Sequence, residues 1–199
     1  MYRGLVGTIL LLMDTSASLK NQLLIAMPNL EDPNFSRTVT YICEHGEHGA
    51  MGIVLNRPTD LRLTDILQHM EIGDDLGVAG EQIVFLGGPV EEERGFVLHT
   101  HTPPWDSTLA IDDEISITTS RDILEAMAKG DGPKKTLVAL GYAGWGSGQL
   151  EREIQENAWL SGPAESAILF DLPAEERWEA AARLLGVDVN LLSSEAGHA

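Results

Sequence analysis

From Lys20 onward the chain alternates short apolar runs with stretches in which apolar residues recur at helical spacing. Residues 23–27 (Leu-Leu-Ile-Ala-Met) are continuously apolar and stop at Pro28, which predicts a buried strand. Asp32, Pro33 and Asn34 predict a turn, because Asp and Asn side chains bond nearby backbone and Pro fixes φ. Residues 38–43 are β-branched and aromatic and read as a second strand. A hairpin over residues 46–49 joins that strand to a third at 51–55. Leu63, Ile66, Leu67 and Met70 share one helical face. Residues 82–86 and 95–99 predict strands on either side of Gly87-Gly88-Pro89-Val90, and residues 114–119 alternate with the period of two of a strand. Ser120 caps a helix that ends at Gly130. Residues 136–140 form a further strand and 167–170 the last one. Pro173 then opens a helix that carries Trp178, Ala181, Ala182 and Leu185 on one stripe and stops at Gly186. No repeat or long linker breaks the series, so one compact α/β domain over residues 19–199 is expected.

The run from Gly141 to Trp159 stands apart. Glycines at 141, 144, 146 and 148 lie between the strand at 136–140 and a helix-like segment. A strand, a glycine-rich turn and a helix start together suggest an anion cradle of bare amides. Glu151 and Glu153 oppose it, since their charge already suits the helix start and repels an anion. The Lys-Ser/Thr pair of a phosphate loop is missing, and the spacing is not that of a dinucleotide fingerprint. The turn therefore reads as packing around Trp145, with Ser147 or Gly148 as helix cap.

Composition narrows the classes. The 199 residues hold 13 basic and 31 acidic side chains, a formal net charge of −18. Such a surface repels nucleic-acid phosphate and anionic lipid at long range, so neither direct nucleic-acid binding nor a membrane partner is expected. The lone Cys43 cannot form an intramolecular disulfide and fits a reducing, cytoplasmic setting. The apolar run at residues 5–13 is too short to span a membrane, and one Arg is a poor start for a signal peptide. Residues 1–18 are expected to be a disordered extension, with Met13 a natural start.

Candidate chemistry is sparse. Asn56 and Arg57 follow a buried strand, where α/β proteins often bind ligands, and the planar guanidinium of Arg57 suits a carboxylate or phosphate. Gly87 and Gly88 permit close approach of a ligand or another chain segment. Cys43, His45 and His48 are near in sequence, as are His99 and His101, but neither set has a zinc spacing, so no metal and no other cofactor is expected. His45 and His48 read as an exposed hairpin tip. Cys43 reads as packing, and Ser147 lacks the context of a nucleophile elbow. Glu151, Glu153 and Glu156 read as a solvated helix face. No catalytic constellation emerges.

Several blocks in order nonetheless carry a resemblance. Leu24-Ile-Ala-Met-Pro28, Asp32-Pro-Asn-Phe35, Asn56-Arg-Pro58, Gly87-Gly-Pro-Val90, Gly95-Phe-Val-Leu-His99, Gly141-Tyr-Ala-Gly-Trp145 and Asn157-Ala-Trp159 are similar to the signature blocks of the YqgE/AlgH family. That resemblance runs from about Leu19 to the chain end. It implies a bacterial cytosolic protein whose mixed sheet is partly curled into a small barrel and surrounded by helices. It brings no settled reaction: AlgH has been called a transcriptional regulator, yet the family has no recognised DNA-binding motif.

Three readings follow. The first is a ligand- or partner-binding regulatory module, with Asn56, Arg57, Gly87 and Gly88 joined by His99, Tyr142 and Trp145 at a shared pocket; its ligand is an unknown small molecule or protein. The second is an enzyme acting on a small polar metabolite through His99 or Glu153. The third is a direct DNA-binding regulator, which the acidic charge disfavours.

Overall fold

A computed structural model describes residues 18–73, 80–101 and 104–188. Most of the expected 1–18 extension, the Met13 start and the chain end beyond Asp188 lie outside the described residues. The described chain folds as ten strands and four α-helices: β1 (Gln22–Ala26), β2 (Val39–Gly46), β3 (Gly49–Val54), β4 (Pro58–Arg62), α1 (Leu63–His69), β5 (Ile83–Leu86), β6 (Val90–Thr100), β7 (Thr108–Ala110), β8 (Ile115–Thr118), α2 (Arg121–Ala128), β9 (Thr136–Gly146), α3 (Gln149–Gln155), β10 (Trp159–Pro163) and α4 (Ala174–Leu184). The strands run in the order β10-β1-β2-β3-β9-β6-β8-β7, with β4 beside β5. All pairs are antiparallel except β5 with β9, so the sheet is mixed. It is strongly curled into a half-barrel with helices around it, an α+β fold.

β1, β2 and β3 are buried for most of their length on both faces, which explains why these strands read as continuous apolar runs rather than alternating ones. Successive side chains still point to opposite faces. Leu23 and Ile25 of β1 enter the concave core with Tyr41, Ile53 and Leu137, closed by Trp178 of α4. Leu24 and Ala26 point the other way, into a cluster with Trp145, Leu150 and Trp159 beside α3. Val97 and Val138 meet Leu63, Leu67 and Ile123 under α1 and α2. Arg177 of α4 is buried, with backbone carbonyls as its hydrogen-bond acceptors. Its Nε donates to the Leu172 carbonyl (3.0 Å), its Nη1 to the Leu55 carbonyl (2.6 Å), and its guanidinium covers the Phe85 ring at 5.2 Å.

Two expectations need correction. The glycine-rich stretch is not a strand followed by a turn. β9 continues through Gly146 as one strand of 11 residues, and only Ser147 and Gly148 turn into α3. Gly148 is the helix cap, at φ +68°. Gly141, at φ +72°, is a kink inside the strand. One edge of β9 pairs with β5 before the kink and with β3 after it, while the other edge faces β6. The last strand is also misplaced: residues 167–171 form a π-helical turn that buries Ile168 and Leu169, closed by Leu172 N–H to Ala167 O at 2.9 Å. A short apolar run does not reveal its own secondary structure, because a buried helical turn needs the same residues. The true final strand is β10, which pairs with β1 along its whole length despite containing Ser161, Gly162 and Pro163.

Candidate functional site

The register of β6 against β9 creates the site. Val90 pairs with Tyr142 and Gly95 with Leu140, so residues 91–94 of β6 stand opposite Gly141 alone. This bulge, with Glu91 at φ +48°, takes residues 91–94 out of the pairing with β9. The space left between it, the β2–β3 hairpin and the β7–β8 end is a cavity of about 680 Å³. Met51, Phe96, Leu109, Ile117 and Tyr142 give it an apolar wall, and Trp145 adds to the lining while its ring packs in the cluster beside α3. Phe96 and Tyr142 meet edge to face at 5.7 Å. Polar groups stand at its margins: Glu44 and His48 from the hairpin, Arg94 from the bulge, Ser107 and Thr119 from the β7–β8 side. Arg94 covers the Phe96 ring at 5.3 Å and donates from Nη1 to Glu91 at 2.9 Å, an ion pair with both partners about half exposed.

Of the residues expected at a shared pocket, Tyr142 and Trp145 line this cavity. The others do not. The Asn56 side chain ties two segments: Oδ1 accepts from Val39 N–H (2.9 Å) and Nδ2 donates to the Arg37 carbonyl (2.9 Å). Arg57 donates through Nη2 to the Ser36 carbonyl at 2.6 Å. Gly87 and Gly88 lie where the chain crosses β9, and the approach they permit is to another part of the same chain. A Cβ on Gly87 would stand 2.3 Å from the Gly141 carbonyl oxygen, and one on Gly88 would stand 2.1 Å from the carbonyl carbon of Tyr142.

His99 is fully buried on β6. Its Nδ1 sits 2.9 Å from the Thr100 carbonyl, which can only accept, so the hydrogen is on Nδ1. Nε2 then accepts from the Thr118 hydroxyl (2.9 Å), which accepts from Thr108 (2.7 Å), which accepts from Trp105 N–H (2.9 Å). Burial pushes the His99 pKa below its ordinary value, outweighing the Thr100 bond that raises it. A folded pKa below the unfolded one means the unfolded chain takes up the proton first as pH falls. This contribution to stability is complete above about pH 6.5 and lost as pH drops from there toward the folded pKa. The urea midpoint should therefore fall between pH 7.5 and 5, and fall less in His99→Gln. An equal fall in both proteins would show that His99 is not part of the cause.

The histidines of the hairpin separate. His45 is not at an exposed tip: its Nδ1 accepts from Leu19 N–H (3.1 Å) and its Nε2 donates to Glu151 Oε1 (2.8 Å). His48 lies at the cavity margin. Cys43 is buried, with its thiol pKa pushed up by burial. Among the described residues no three His, Cys, Asp or Glu side chains are grouped as a metal site requires.

Sequence reasoning also missed a carboxylate hub. Glu153, expected on a solvated face, accepts both indole N–H groups on one oxygen: Trp145 at 3.0 Å and Trp159 at 2.9 Å. Its other oxygen accepts from Gln149 Nε2 at 2.8 Å. Phe35 completes the cluster, 6.1 Å from Trp145 and 5.6 Å from Trp159. The spacing of Trp145, Gln149 and Glu153, four residues each, was the available signal: it stacks the two α3 side chains on one face.

Known proteins resemble the whole described fold. A family model described as AlgH-like matches residues 23–190. A UPF0301 protein of Thioalkalivibrio sulfidiphilus is 60% identical over 187 residues, covering 94% of this chain and 100% of the relative. A UPF0301 protein of Nitrosococcus oceani is 57% identical over the same length, with the same coverage of both chains. The solution structure of the AlgH protein from Pseudomonas aeruginosa is 51% identical with a TM-score of 0.76, covering 92% of this chain and 97% of that one. A crystal structure from Corynebacterium diphtheriae, 21% identical at a TM-score of 0.68, shares the fold and covers 86% of this chain and 89% of its own. No described helix is long and apolar enough to cross a membrane. The chain belongs to the AlgH-like family, the YqgE/AlgH group whose sequence blocks it carries.

Proposed function

We propose that the protein is a binding module with a regulatory role, acting through a molecule held in the cavity beside Tyr142 and Trp145 rather than by gripping DNA. The observation that carries this reading is the cavity itself. Its volume of about 680 Å³ falls within the range of small-molecule sites, and it has the usual make-up of an apolar wall with a few polar groups at the margin. The net charge of −18 supports an indirect route in any control of transcription, because it opposes contact with phosphate. His99 and Glu153, the acid–base candidates, are both held by internal partners.

Native mass spectrometry of the protein purified from its own cell type tests the reading. A retained small-molecule mass is expected, and it should disappear in Gly144→Leu. Gly144 lines the cavity, and a Cβ there starts in ordinary contact, 3.4 Å from the Tyr142 ring, so the new side chain fills the space without breaking the strand. No retained mass, or one unaffected by Gly144→Leu, would contradict the proposal.

A further inference from the structure

The polar groups around the cavity are segregated by charge. Glu44 stands on β2 and Arg94 on β6, with β3 and β9 between them. Counted across the strands, β2 and β6 lie three spacings apart, about 14 Å along the sheet. The cross-strand neighbours between them, Met51 opposite Glu44, Gly144 opposite Met51, and Tyr142 opposite Val90, give a floor with no charged side chain.

At the Arg94 end several donors remain available. Arg94 uses Nη1 for Glu91, in an exposed pair of the kind that contributes little. Its planar fork keeps further N–H groups that suit an oxyanion. On the β7–β8 side, next to β6 in the sheet, Ser107 and Thr119 are bound to each other through the backbone, Thr119 N–H to the Ser107 carbonyl at 3.1 Å. Among the described residues neither hydroxyl has a hydrogen-bond partner, and both line the cavity. At the other end the Glu44 carboxylate, when ionised, can only accept. The Arg94 end therefore offers several donors, the hairpin end offers the Glu44 acceptor with the His48 imidazole at the same margin, and the stretch between them is apolar.

Resting on the cavity reading above, we infer that the ligand class is an elongated amphipathic organic acid: its carboxylate on Arg94, Ser107 and Thr119, an apolar body along Met51 and Phe96, and a hydroxyl or amino group donating to Glu44. The acidic surface as a whole slows the approach of such an anion, so selectivity arises from local contacts rather than from long-range steering.

Three probes dissect this arrangement by isothermal titration: 10-hydroxydecanoate, decanoate, which lacks the distal donor, and methyl 10-hydroxydecanoate, which lacks the charge. The hydroxy acid should bind tightest and the ester weakest. Arg94→Met should weaken both acids about tenfold, the effect of one charge-assisted contact, and leave the ester unchanged. Glu44→Leu should erase the difference between the hydroxy acid and decanoate. Both positions are at the cavity margin, and circular dichroism checks that the variants fold. Equal binding of acid and ester, or an acid preference that survives Arg94→Met, overturns the assigned ligand class. So does failure of all three probes to bind at millimolar concentration. The cavity reading is judged separately, by the retained mass and its loss in Gly144→Leu.

Discussion

Gly88→Ala is expected to leave little folded protein. The alanine Cβ would stand 2.1 Å from the Tyr142 carbonyl carbon, 2.2 Å from its oxygen and 2.3 Å from the Ala143 nitrogen. All three atoms belong to β9, held by β3 on one edge and β6 on the other, so they cannot rotate aside as a side-chain end would. The φ of +152° adds strain for any L side chain, of order 1–3 kcal/mol. Overlap and strain together should exceed about 4 kcal/mol, a large part of the stability of an ordinary domain. Gly95→Ala is the matched control, since a Cβ there meets nothing within 4 Å and its φ is not in the positive range. It should change the urea midpoint by less than the equivalent of about 0.5 kcal/mol. A Gly88→Ala protein as stable as the control would show that the segment after β5 does not pass Tyr142 and Ala143 of β9 as closely as described.

The second large effect belongs to Glu153. Trp145 and Trp159 are buried, and both indole N–H groups end on this carboxylate. Glu153→Leu removes the acceptor and leaves two donors away from water, which should cost about 2–4 kcal/mol. Glu153→Gln keeps one oxygen for the indoles but turns an amide toward Gln149, and should cost about 1 kcal/mol. Urea denaturation followed by tryptophan fluorescence measures both. Equal losses in the two variants would mean that the side chain acts through its shape and not as an acceptor.

These two residues show where the sequence could be read and where it could not. The strands at 23–27, 38–43 and 51–55 were visible because both faces are buried and their residues are β-formers. The helices α2 and α4 were visible from their apolar stripes and from Gly130 and Gly186, which sit at φ +78° and +71° as helix ends often require. Gly141 misled for the same reason that it matters. Its positive φ is compatible with a turn or with a kink in a strand, and the choice depends on β3 and β5, which are far away in sequence. Similarly, Gly162 in β10 looks like a strand breaker until Leu185 is in place, with its side chain 2.6 Å from where a Cβ would be.

The site was harder to read than the fold. Tyr142 and Trp145 were legible because aromatic side chains among glycines invite attention. Arg94, Ser107 and Thr119 were not, because nothing local marks them. They meet through the β6 bulge and the β7–β8 pairing, which are tertiary events. Asn56 and Arg57 have the chemistry expected of a binding site, but use it on the backbone of residues 36–39.

The cavity can be addressed directly by adding the small-molecule fraction of the protein's own cells to isotope-labelled protein and following backbone amide chemical shifts. Shifts concentrated at Met51, Phe96, Thr119 and Gly144, and abolished by Gly144→Leu, are the predicted result. Shifts that instead gather around Asn56, Arg57 and the 31–37 segment, or amides that do not move at all, would contradict a binding function for this cavity.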